Sequence, residues 1–261
     1  MTLSPDDLAF ERSQQAKYRF SYTPEGLDHA ARPAHDYFAK LAALRLGLVR
    51  ERYAGGTVLD LCCGAGDYLL PVARFADAVT GVDFSPELLG AARRRIVERA
   101  VTNARCLAGN ARALPLRDAS ITLAFAFSSL YYIPRVEQVV AECARVLRPG
   151  GLAILEFGLL YSLNTVVCRA HPELAVPCHL PLARVHRLLE EAGLAVVADH
   201  AFQVLPLWGD RPLWLRPLLH PVWKRVLAAE VGGRMLDERV SGHSLLRRVA
   251  FRHIIVGRTR G

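Results

Sequence analysis

The stretch Thr57–Ala73, TVLDLCCGAGDYLLPVA, constrains the fold more than any other part of the chain. An apolar strand pattern runs into two adjacent cysteines and a pair of glycines, and a helical pattern follows directly. Gly64 and Gly66 allow the backbone to pass close to a ligand, and the next helix offers unpaired N–H groups. The stretch therefore predicts a strand, a turn and a helix that hold a ligand at the carboxyl end of the strand.

Short apolar runs alternate with helical patterns from Thr57 to Gly158. Strands are predicted for TVLDLC, AVTGVDF, ARCLAG, SITLAFAFS and LAILEF. Helices are predicted between them, including one over Gly66–Phe75 and one that follows the N-cap residue Ser85. This alternation indicates an α/β fold with a doubly wound, mostly parallel sheet covered on both faces.

The two ends of the chain depart from this pattern. Residues 1–50 are predicted to be helical, with one apolar stripe made by Phe38, Leu41, Leu44 and Leu48. Residues 159–180 are too long for an ordinary connection, so they are expected to form a lid or an insertion. Two further strands are predicted in AVVADHAFQVL and VAFRHIIVGRTR, with an enlarged insertion over 206–247 between them.

Composition places the chain among folded globular proteins. Its 261 residues are 52% hydrophobic and 22% charged, which suffices for one sizeable core. No secretory signal or membrane span is predicted, so a cytoplasmic protein is expected. The six cysteines show no CxxC spacing, so they are expected to be free thiols, and no metal site is predicted.

Positive charge is concentrated near the C-terminus. The formal net charge is +8, and the segment from Pro206 onwards holds eleven Lys/Arg against four Asp/Glu, 11 − 4 = +7. Such a surface attracts an anionic substrate, a membrane surface or nucleic acid. It is equally explained as a solvated basic face, because only three of the 33 basic residues are lysines, which points to codon bias.

Polar residues follow three successive predicted strands. After the glycine turn, Asp83 ends the second strand, where a carboxylate can accept both hydroxyls of a ribose, and Asn110 follows the third strand, where an amide can pair with an adenine edge. Together these features predict an adenosine-containing cofactor. A dinucleotide-binding turn would require a glycine where Leu69 stands, and the acidic Asp60 just upstream suits a cationic ligand. The pattern therefore favours S-adenosylmethionine.

The run from Val58 to Gly158 resembles the core of class I S-adenosylmethionine-dependent methyltransferases. VLDLCCGAGD matches the first motif of that superfamily, and VTGVDFSPELLGAARRR matches its second-strand motif. GNARALPLRDASITLAFAFSSLYYI and ECARVLRPGGLAILEF match the regions of its third to fifth strands. The similarity is greatest to the group that includes quinone-biosynthesis and small-molecule methyltransferases. It implies a Rossmann-like sheet of seven strands with an antiparallel last strand, and a methyltransferase domain over 51–261 behind an N-terminal lid.

The resemblance also implies the residues that contact S-adenosylmethionine and its product S-adenosylhomocysteine. The turn would line the methionine part, Asp83 would hold the ribose, Phe84 would pack on the adenine, and Ser128 would lie near the donor methyl. The position of Asn110 is more often an aspartate in the family. The full predicted cofactor set is Tyr18, Tyr22, Asp60, Cys62, Cys63, Gly64, Gly66, Asp83, Phe84, Asn110, Ala111 and Ser128.

The two adjacent cysteines are interpreted as small apolar fillers beside the cofactor. Side chains of neighbouring strand residues point to opposite faces, so Cys62 and Cys63 are poorly placed to share a metal. Any role at the cofactor is therefore expected to come from the backbone around them.

Acceptor chemistry is less constrained by the sequence. Methyl transfer from a sulfonium needs a base only when the acceptor carries a proton. His179 is the first candidate base, because the segment after the fifth strand commonly folds over the acceptor pocket in similar enzymes, and His171 is the second. For both, a local packing or capping role is the alternative.

Three tryptophans, Trp208, Trp214 and Trp223, lie in LPLWGDRPLWLRPLLHPVWKRVL. This stretch is interpreted as an acceptor wall or lid, as a packed subdomain, or as a patch that contacts a membrane surface. The Asn-, Ser-, Gly- and His-rich motif of the quinone group is missing.

The predicted function is methyl transfer to an oxygen of a small hydrophobic acceptor, with an anionic acceptor among the options, by a monomer or homodimer. An RNA or protein methyltransferase is an alternative, although no RNA-binding module and no NPPY-type signature are visible, and no nucleic-acid partner is predicted. A donor-binding protein without transfer activity is the other alternative.

Overall fold

One seven-stranded sheet organises the chain in a computed structural model that describes residues 36–171 and 178–260. The strands lie in the order β3-β2-β1-β4-β5-β9-β6. Their bounds are β1 Thr57–Leu61, β2 Ala78–Asp83, β3 Ala104–Ala108, β4 Ile121–Ala126, β5 Leu147–Gly158, β6 Leu194–Phe202 and β9 Arg252–Thr259. A separate two-stranded hairpin is formed by β7 Glu230–Val231 and β8 Arg234–Met235.

The sheet has the mixed direction that the resemblance implies. Neighbouring strands from β3 to β5 are parallel. The last strand, β9, is antiparallel to both of its neighbours, β5 and β6. Because β9 runs the other way, its first residue, Arg252, lies at the edge where the parallel strands end, paired with Gly158 at the end of β5. This arrangement brings the last strand of the chain to the candidate site.

Helices cover the sheet and join its strands. They are α1 Tyr37–Arg52, α2 Leu69–Val72, α3 Pro86–Glu98, α4 Val136–Val146, α5 Leu163–Arg169, α6 Leu182–Glu191, α7 Arg216–Leu219, α8 Val222–Ala228 and α9 Leu236–Gly242. The predicted start of α3 is confirmed, since the Ser85 side chain accepts a hydrogen bond from the Leu88 N–H and Pro86 occupies the first helical position.

The helix after the glycine turn is shorter than predicted. The sequence suggested Gly66–Phe75, but the helix extends only over Leu69–Val72. Gly66 has a φ of +85°, which no α-helix accommodates. Pro71 lacks an N–H, so the helix also misses one internal hydrogen bond. The turn therefore extends further from the strand than the pattern indicated.

The core has two layers, one on each face of the sheet. Alternate residues of β1 enter different layers: Val58 packs with Leu41 and Val49 of α1, whereas Leu59 packs with Val139 of α4. The predicted stripe on α1 is confirmed, with Leu41 and Leu48 buried and Phe38 and Leu44 packed at its border.

The predicted insertion between the last two sheet strands contains α7, α8, the β7–β8 hairpin and α9. It is joined to α1 by a hydrogen bond of 2.6 Å from the Tyr37 hydroxyl to the buried Asp237. An ion pair of 2.6 Å between Lys40 and Glu230 adds a second contact. Within the described residues, no helix is long and apolar enough to cross a membrane.

Candidate active site

The turn after β1 is held open by backbone conformation. Cys62, Gly64 and Gly66 have φ values of 61°, 52° and 85°, all in the left-handed region. The N–H groups of Cys62 and Cys63 both donate to the Val82 carbonyl, at 2.8 and 3.1 Å. The turn is therefore anchored to the end of β2 and presents its backbone at the carboxyl edge of the sheet.

Asp83 fixes the same turn from the end of β2. One carboxylate oxygen accepts from the Gly64 N–H at 2.8 Å, and the other accepts from the Ser85 N–H at 2.9 Å. Burial raises the pKa of Asp83 above its usual value. Each oxygen retains a further lone pair, so the carboxylate can still accept from a ligand hydroxyl.

Asp60 is a buried carboxylate that lacks a full set of partners. It is 3% exposed, and its Oδ2 atom has no hydrogen-bond partner. Burial, followed by the negative charges of Cys106 and Asp83, raises its pKa well above the usual range. A cation beside Asp60 would remove this cost, because an opposite charge favours the ionised carboxylate. The orphaned oxygen fits the cationic methionine end of S-adenosylmethionine.

The two cysteines have different surroundings. Cys63 is buried and packs against Gly81 of β2, where an added Cβ would lie 2.7 Å from the Cys63 sulfur. Contact with Cys106 and burial raise the pKa of Cys63, and burial raises the pKa of Cys62. All six cysteines are free thiols, and the described residues contain no group of His, Cys, Asp and Glu that could hold a metal. The interpretation of both as fillers remains a prediction.

The other predicted cofactor residues are distributed along the same edge. Phe84 is half-buried directly after Asp83, and Ala111 is buried after β3. The Asn110 side-chain oxygen accepts from the Arg112 N–H at 2.8 Å. Tyr18 and Tyr22 lie outside the described residues.

A buried charge cluster occupies the ends of β4, β5 and β9, and the sequence did not predict it. Arg45 of α1 and Arg252 of β9 both form ion pairs with Glu156 of β5, the first at 2.6 Å. Burial would raise the pKa of Glu156, but the two guanidinium charges outweigh burial and hold it below the usual value. The cluster could have been suspected only from charged residues at positions where the pattern expects apolar ones. These are Arg45 on the stripe of α1 and Glu156 within LAILEF.

Ser128 lies at the centre of this cluster, just beyond β4. Its backbone is in the left-handed region, with a φ of 55°. Its hydroxyl accepts from Arg45 at 2.9 Å and from Arg252 at 3.4 Å. Arg252 also donates to the Tyr131 hydroxyl at 2.9 Å. The predicted cofactor residue Ser128 is thereby joined to the charge cluster of Arg45, Glu156 and Arg252.

His179 lies beside the same cluster. The neighbouring Cys178 N–H donates to the Tyr131 carbonyl, and the Leu180 N–H donates to the Gly158 carbonyl, which anchors the segment to the ends of β4 and β5. The His179 ring is 6.2 Å from the Tyr131 ring and 5.0 Å from the Phe251 ring, between centroids.

The tautomer of His179 follows from its hydrogen bonds. The Thr165 hydroxyl donates to the Leu159 carbonyl at 2.8 Å, so it accepts from Nδ1–H of His179 at 2.7 Å. The lone pair is then on Nε2, which is buried without a partner. Burial, followed by the positive charges of Arg169 and Arg252, lowers the pKa of His179 to about 4. The ring is therefore neutral near pH 7 and presents a proton acceptor.

His171 has a different environment from His179. Its ring lies 5.4 Å from the Trp208 ring, and its Nδ1 is 3.1 Å from Arg211. Its Nε2 is 3.5 Å from Asp210. These contacts place His171 with the start of the insertion, so the structure does not bring the two histidines together around one group.

The fold and the groups at the carboxyl edge of the sheet are those of a Rossmann-like ligand-binding domain. Comparisons with known proteins indicate which class of such domains it is similar to. Residues 59–155 match a family model described as a methyltransferase domain. A demethylmenaquinone methyltransferase of Shouchella clausii is 36% identical over 101 residues, which are 38% of this chain and 43% of the relative. The Lactococcus lactis enzyme of the same name is 33% identical over 123 residues, 46% of this chain and 47% of the relative. The chain thus spans less than half the length of the curated relatives it matches.

Solved structures extend the similarity of fold to most of the chain. A geranyl diphosphate C-methyltransferase from Streptomyces coelicolor, solved with S-adenosyl-L-homocysteine, has a TM-score of 0.63 at 18% identity and covers 96% of this chain and 97% of its own. The cyclase SpnF has a TM-score of 0.59 at 20% identity, covering 88% of this chain and 85% of its own. The predicted fold class is confirmed. Residues 59–155 are thus similar in sequence to methyltransferase domains, and the fold of the chain is similar to that of solved structures of methyltransferases.

The substitution Asp60→Asn is expected to stabilise the protein in the absence of ligand. It removes a buried charge while keeping the shape of the side chain, for a gain of about 1–3 kcal/mol in the free energy of unfolding. Folding raises the pKa of Asp60. At low pH the carboxyl group is protonated in both the folded and the unfolded state, so Asp60 does not destabilise the protein there. The gain should therefore increase as the pH rises from about 4, the pKa of an unfolded aspartate.

Urea denaturation of the two proteins across pH measures this gain. Asp67→Asn is the matched control, since Asp67 is paired with Arg95 at 2.7 Å and its loss should not stabilise the protein. A wild-type protein as stable as Asp60→Asn at every pH would contradict the assignment of an unpaired charge.

Proposed function

We propose that this protein transfers a methyl group from S-adenosylmethionine to an oxygen of a small, apolar acceptor that carries an anionic group. The observation that carries the proposal is the juxtaposition of two sites at one sheet edge. The glycine turn with Asp60 and Asp83 suits an adenosine-bearing cation, and the cluster around Ser128 adjoins it. The family of the core and the methyltransferase relatives support the same activity.

The donor side is assigned to residues of the first three strands. Asp83 would hold the ribose hydroxyls, Phe84 and Asn110 would contact the adenine, and the turn from Cys62 to Gly66 would face the methionine part. Asp60 would balance the positive charge of that part. When bound, the donor supplies an electrophilic methyl group on a sulfonium. The chain's contribution is to hold the acceptor oxygen in line with that methyl, a positioning effect that reaches about 7–11 kcal/mol in favourable cases.

The substitution Asp83→Ala is expected to weaken S-adenosylhomocysteine binding more than tenfold. It removes a carboxylate that would accept from the ribose and that also holds the Gly64 N–H; a hydrogen bond to a charged group contributes about 1.5–3 kcal/mol. Titration calorimetry measures the change.

Asp77→Ala serves as the control for this titration. Asp77 accepts from the Gly56 N–H at 2.7 Å before β1, at the opposite edge of the sheet. Replacement of Asp77 should leave the affinity for S-adenosylhomocysteine unchanged. No binding of either S-adenosylmethionine or S-adenosylhomocysteine by the wild-type protein would refute the proposed donor.

The anionic character of the acceptor is inferred from the charge balance of the cluster. Arg45 and Arg252 together carry two positive charges, whereas Glu156 carries one negative charge. The nearby buried Asp237 forms no ion pair with either guanidinium within the described residues, and it is occupied by donors from Tyr37, Gln203 and Ser241. One positive charge is thus left for an anion.

Free donors accompany this unbalanced charge. The Nε of Arg45 is buried without a partner, and Arg45 is only 5% exposed. The Nε and Nη1 of Arg252 are bonded to Gln203, Ser128, Tyr131 and Glu156, whereas Nη2 donates to no group in the described part of the chain. A carboxylate or phosphate of the acceptor would satisfy these donors.

The substitution Arg252→Lys is expected to raise KM for an anionic acceptor by about tenfold or more, since the free charged donor is lost while the charge beside Glu156 remains. KM for the neutral analogue should not change. Transfer of labelled methyl to a matched pair of phenols, with and without a carboxylate, measures both. Arg216→Lys on the exposed insertion is the control. An equal rise for both phenols would contradict recognition of an anion.

Deprotonation of the acceptor is assigned to His179. Its Nε2 lone pair lies beside Tyr131 and the cluster, and Thr165 fixes the tautomer. As the methyl bonds to a hydroxyl oxygen, the hydroxyl proton becomes strongly acidic, so even a weak base can accept it. His171, held by Trp208 and Asp210, is assigned a packing role.

The substitution His179→Gln is expected to lower kcat about 100-fold, the lower range for loss of a positioned base, whereas His171→Gln should leave kcat unchanged. Because the pKa of His179 is about 4, protonation should abolish its activity only towards that pH, and the profile should show no inflection from this group near neutrality. Label transfer to a phenol across pH measures both variants. Loss of kcat in His171→Gln alone would reverse the assignment.

A further inference from the structure

Within the insertion, the segment 211–229 carries charge of only one sign. It contains Arg211, Arg216, Lys224 and Arg225 and no Asp or Glu. The flanking acids are already engaged, since Asp210 faces His171 and Arg211, and Glu230 is paired with Lys40. The segment therefore presents a positive surface.

Large apolar side chains project from the same segment. Leu213 is 72% exposed and Trp214 is 68% exposed. The indoles of the other two tryptophans donate to the chain, Trp208 to Asn164 and Trp223 to the Pro217 carbonyl. Trp214 has no such partner in the described ranges. Two of the three tryptophans thus serve packing, and one is left at the surface.

Helix α8 adds a second exposed apolar face. Val222, Arg225 and Val226 are exposed at the i, i+3 and i+4 spacing of one helix face. Leu227 is buried against the core. The segment therefore combines exposed apolar side chains with exposed arginines, a combination typical of elements that lie at a bilayer surface.

We propose that the segment 211–229 docks the protein on a membrane surface that contains anionic lipid. Trp214 and Leu213 would enter the interface between head groups and acyl chains, where indole rings are favoured. The arginines would contact the lipid phosphates, and each basic residue near an anionic surface adds to binding.

Charge decides against self-association through this surface. Two copies that met through the same patch would bring the exposed Arg216 and Arg225 of one copy against those of the other, with no acidic residue of the segment to pair with them. A bilayer with anionic lipid supplies the opposite charge and an apolar layer together.

Vesicle co-sedimentation tests the proposal without use of methyl transfer, so its failure is distinguishable from failure of the proposed function. The wild-type chain should bind vesicles of phosphatidylcholine and phosphatidylglycerol in equal parts, and bind pure phosphatidylcholine at least about tenfold more weakly. Binding should also weaken in about 1 M salt, which shortens the screening length to about 3 Å.

Two double variants separate the contribution of apolar insertion to membrane binding from the contribution of charge. Leu213→Ser with Trp214→Ala should reduce binding at least about tenfold through lost apolar insertion, and Arg216→Gln with Arg225→Gln should do so through lost charge. Val97→Ser with Arg94→Gln, on the exposed face of α3, is the matched control and should bind as the wild type does.

Three results would overturn the proposal. One is unchanged binding in both double variants, and another is equal binding to neutral and anionic vesicles. The third is sedimentation of the free protein as a dimer that Trp214→Ala dissociates, combined with no vesicle binding. Circular dichroism of each variant serves as the check that the exposed substitutions leave the fold intact.

Discussion

The buried carboxylate of Glu156 is the interaction on which the acceptor side of this molecule depends. It lies between the guanidinium groups of Arg45 and Arg252 and so connects α1, β5 and β9, with Glu156 fully buried and Arg45 only 5% exposed. Loss of one partner from a buried ion pair costs about 3–5 kcal/mol, because the remaining charge is left without compensation. Against the effect of burial, Arg45 and Arg252 lower the pKa of Glu156, whereas burial, followed by the charges of Arg169 and Arg252, lowers the pKa of His179.

The donor side is built on a different principle, in which backbone conformation and exposed lone pairs matter more than ion pairs. Left-handed residues at the turn, with the Asp83 carboxylate behind them, leave N–H groups and oxygens at the sheet edge. Asp60 is left with an unpaired oxygen, a cost that a bound cation would remove. One edge of the sheet thus has an acidic region and a basic region side by side, which suits a cationic donor and an anionic acceptor.

The strand β1, the glycine turn and the acid at the end of β2 could be predicted from the sequence because their determinants are local. A strand pattern, glycines at fixed spacing and an acid at the next strand end are read directly from Thr57 to Asp83. The cluster could not be predicted in that way, since Glu156 and Arg252 are 96 residues apart and meet only because β9 lies beside β5. The extent of α2 was wrong because periodicity does not reveal a left-handed glycine. The tautomer of His179 depends on its hydrogen bond with Thr165, which no motif indicates.

The position of β9 between β5 and β6 determines when each region becomes complete during synthesis of the chain. Every residue assigned to the donor side within the described part lies before β4, except Ser128, so that turn can fold early around β1, β2 and β3. The proposed acceptor cluster requires Arg252, which follows the end of β3 at Ala108 by 252 − 108 = 144 residues and is therefore synthesised much later. A nascent or truncated chain that ends before β9 would retain the turn but leave Glu156 with Arg45 alone. The order of translation therefore separates the two halves of the proposed active site.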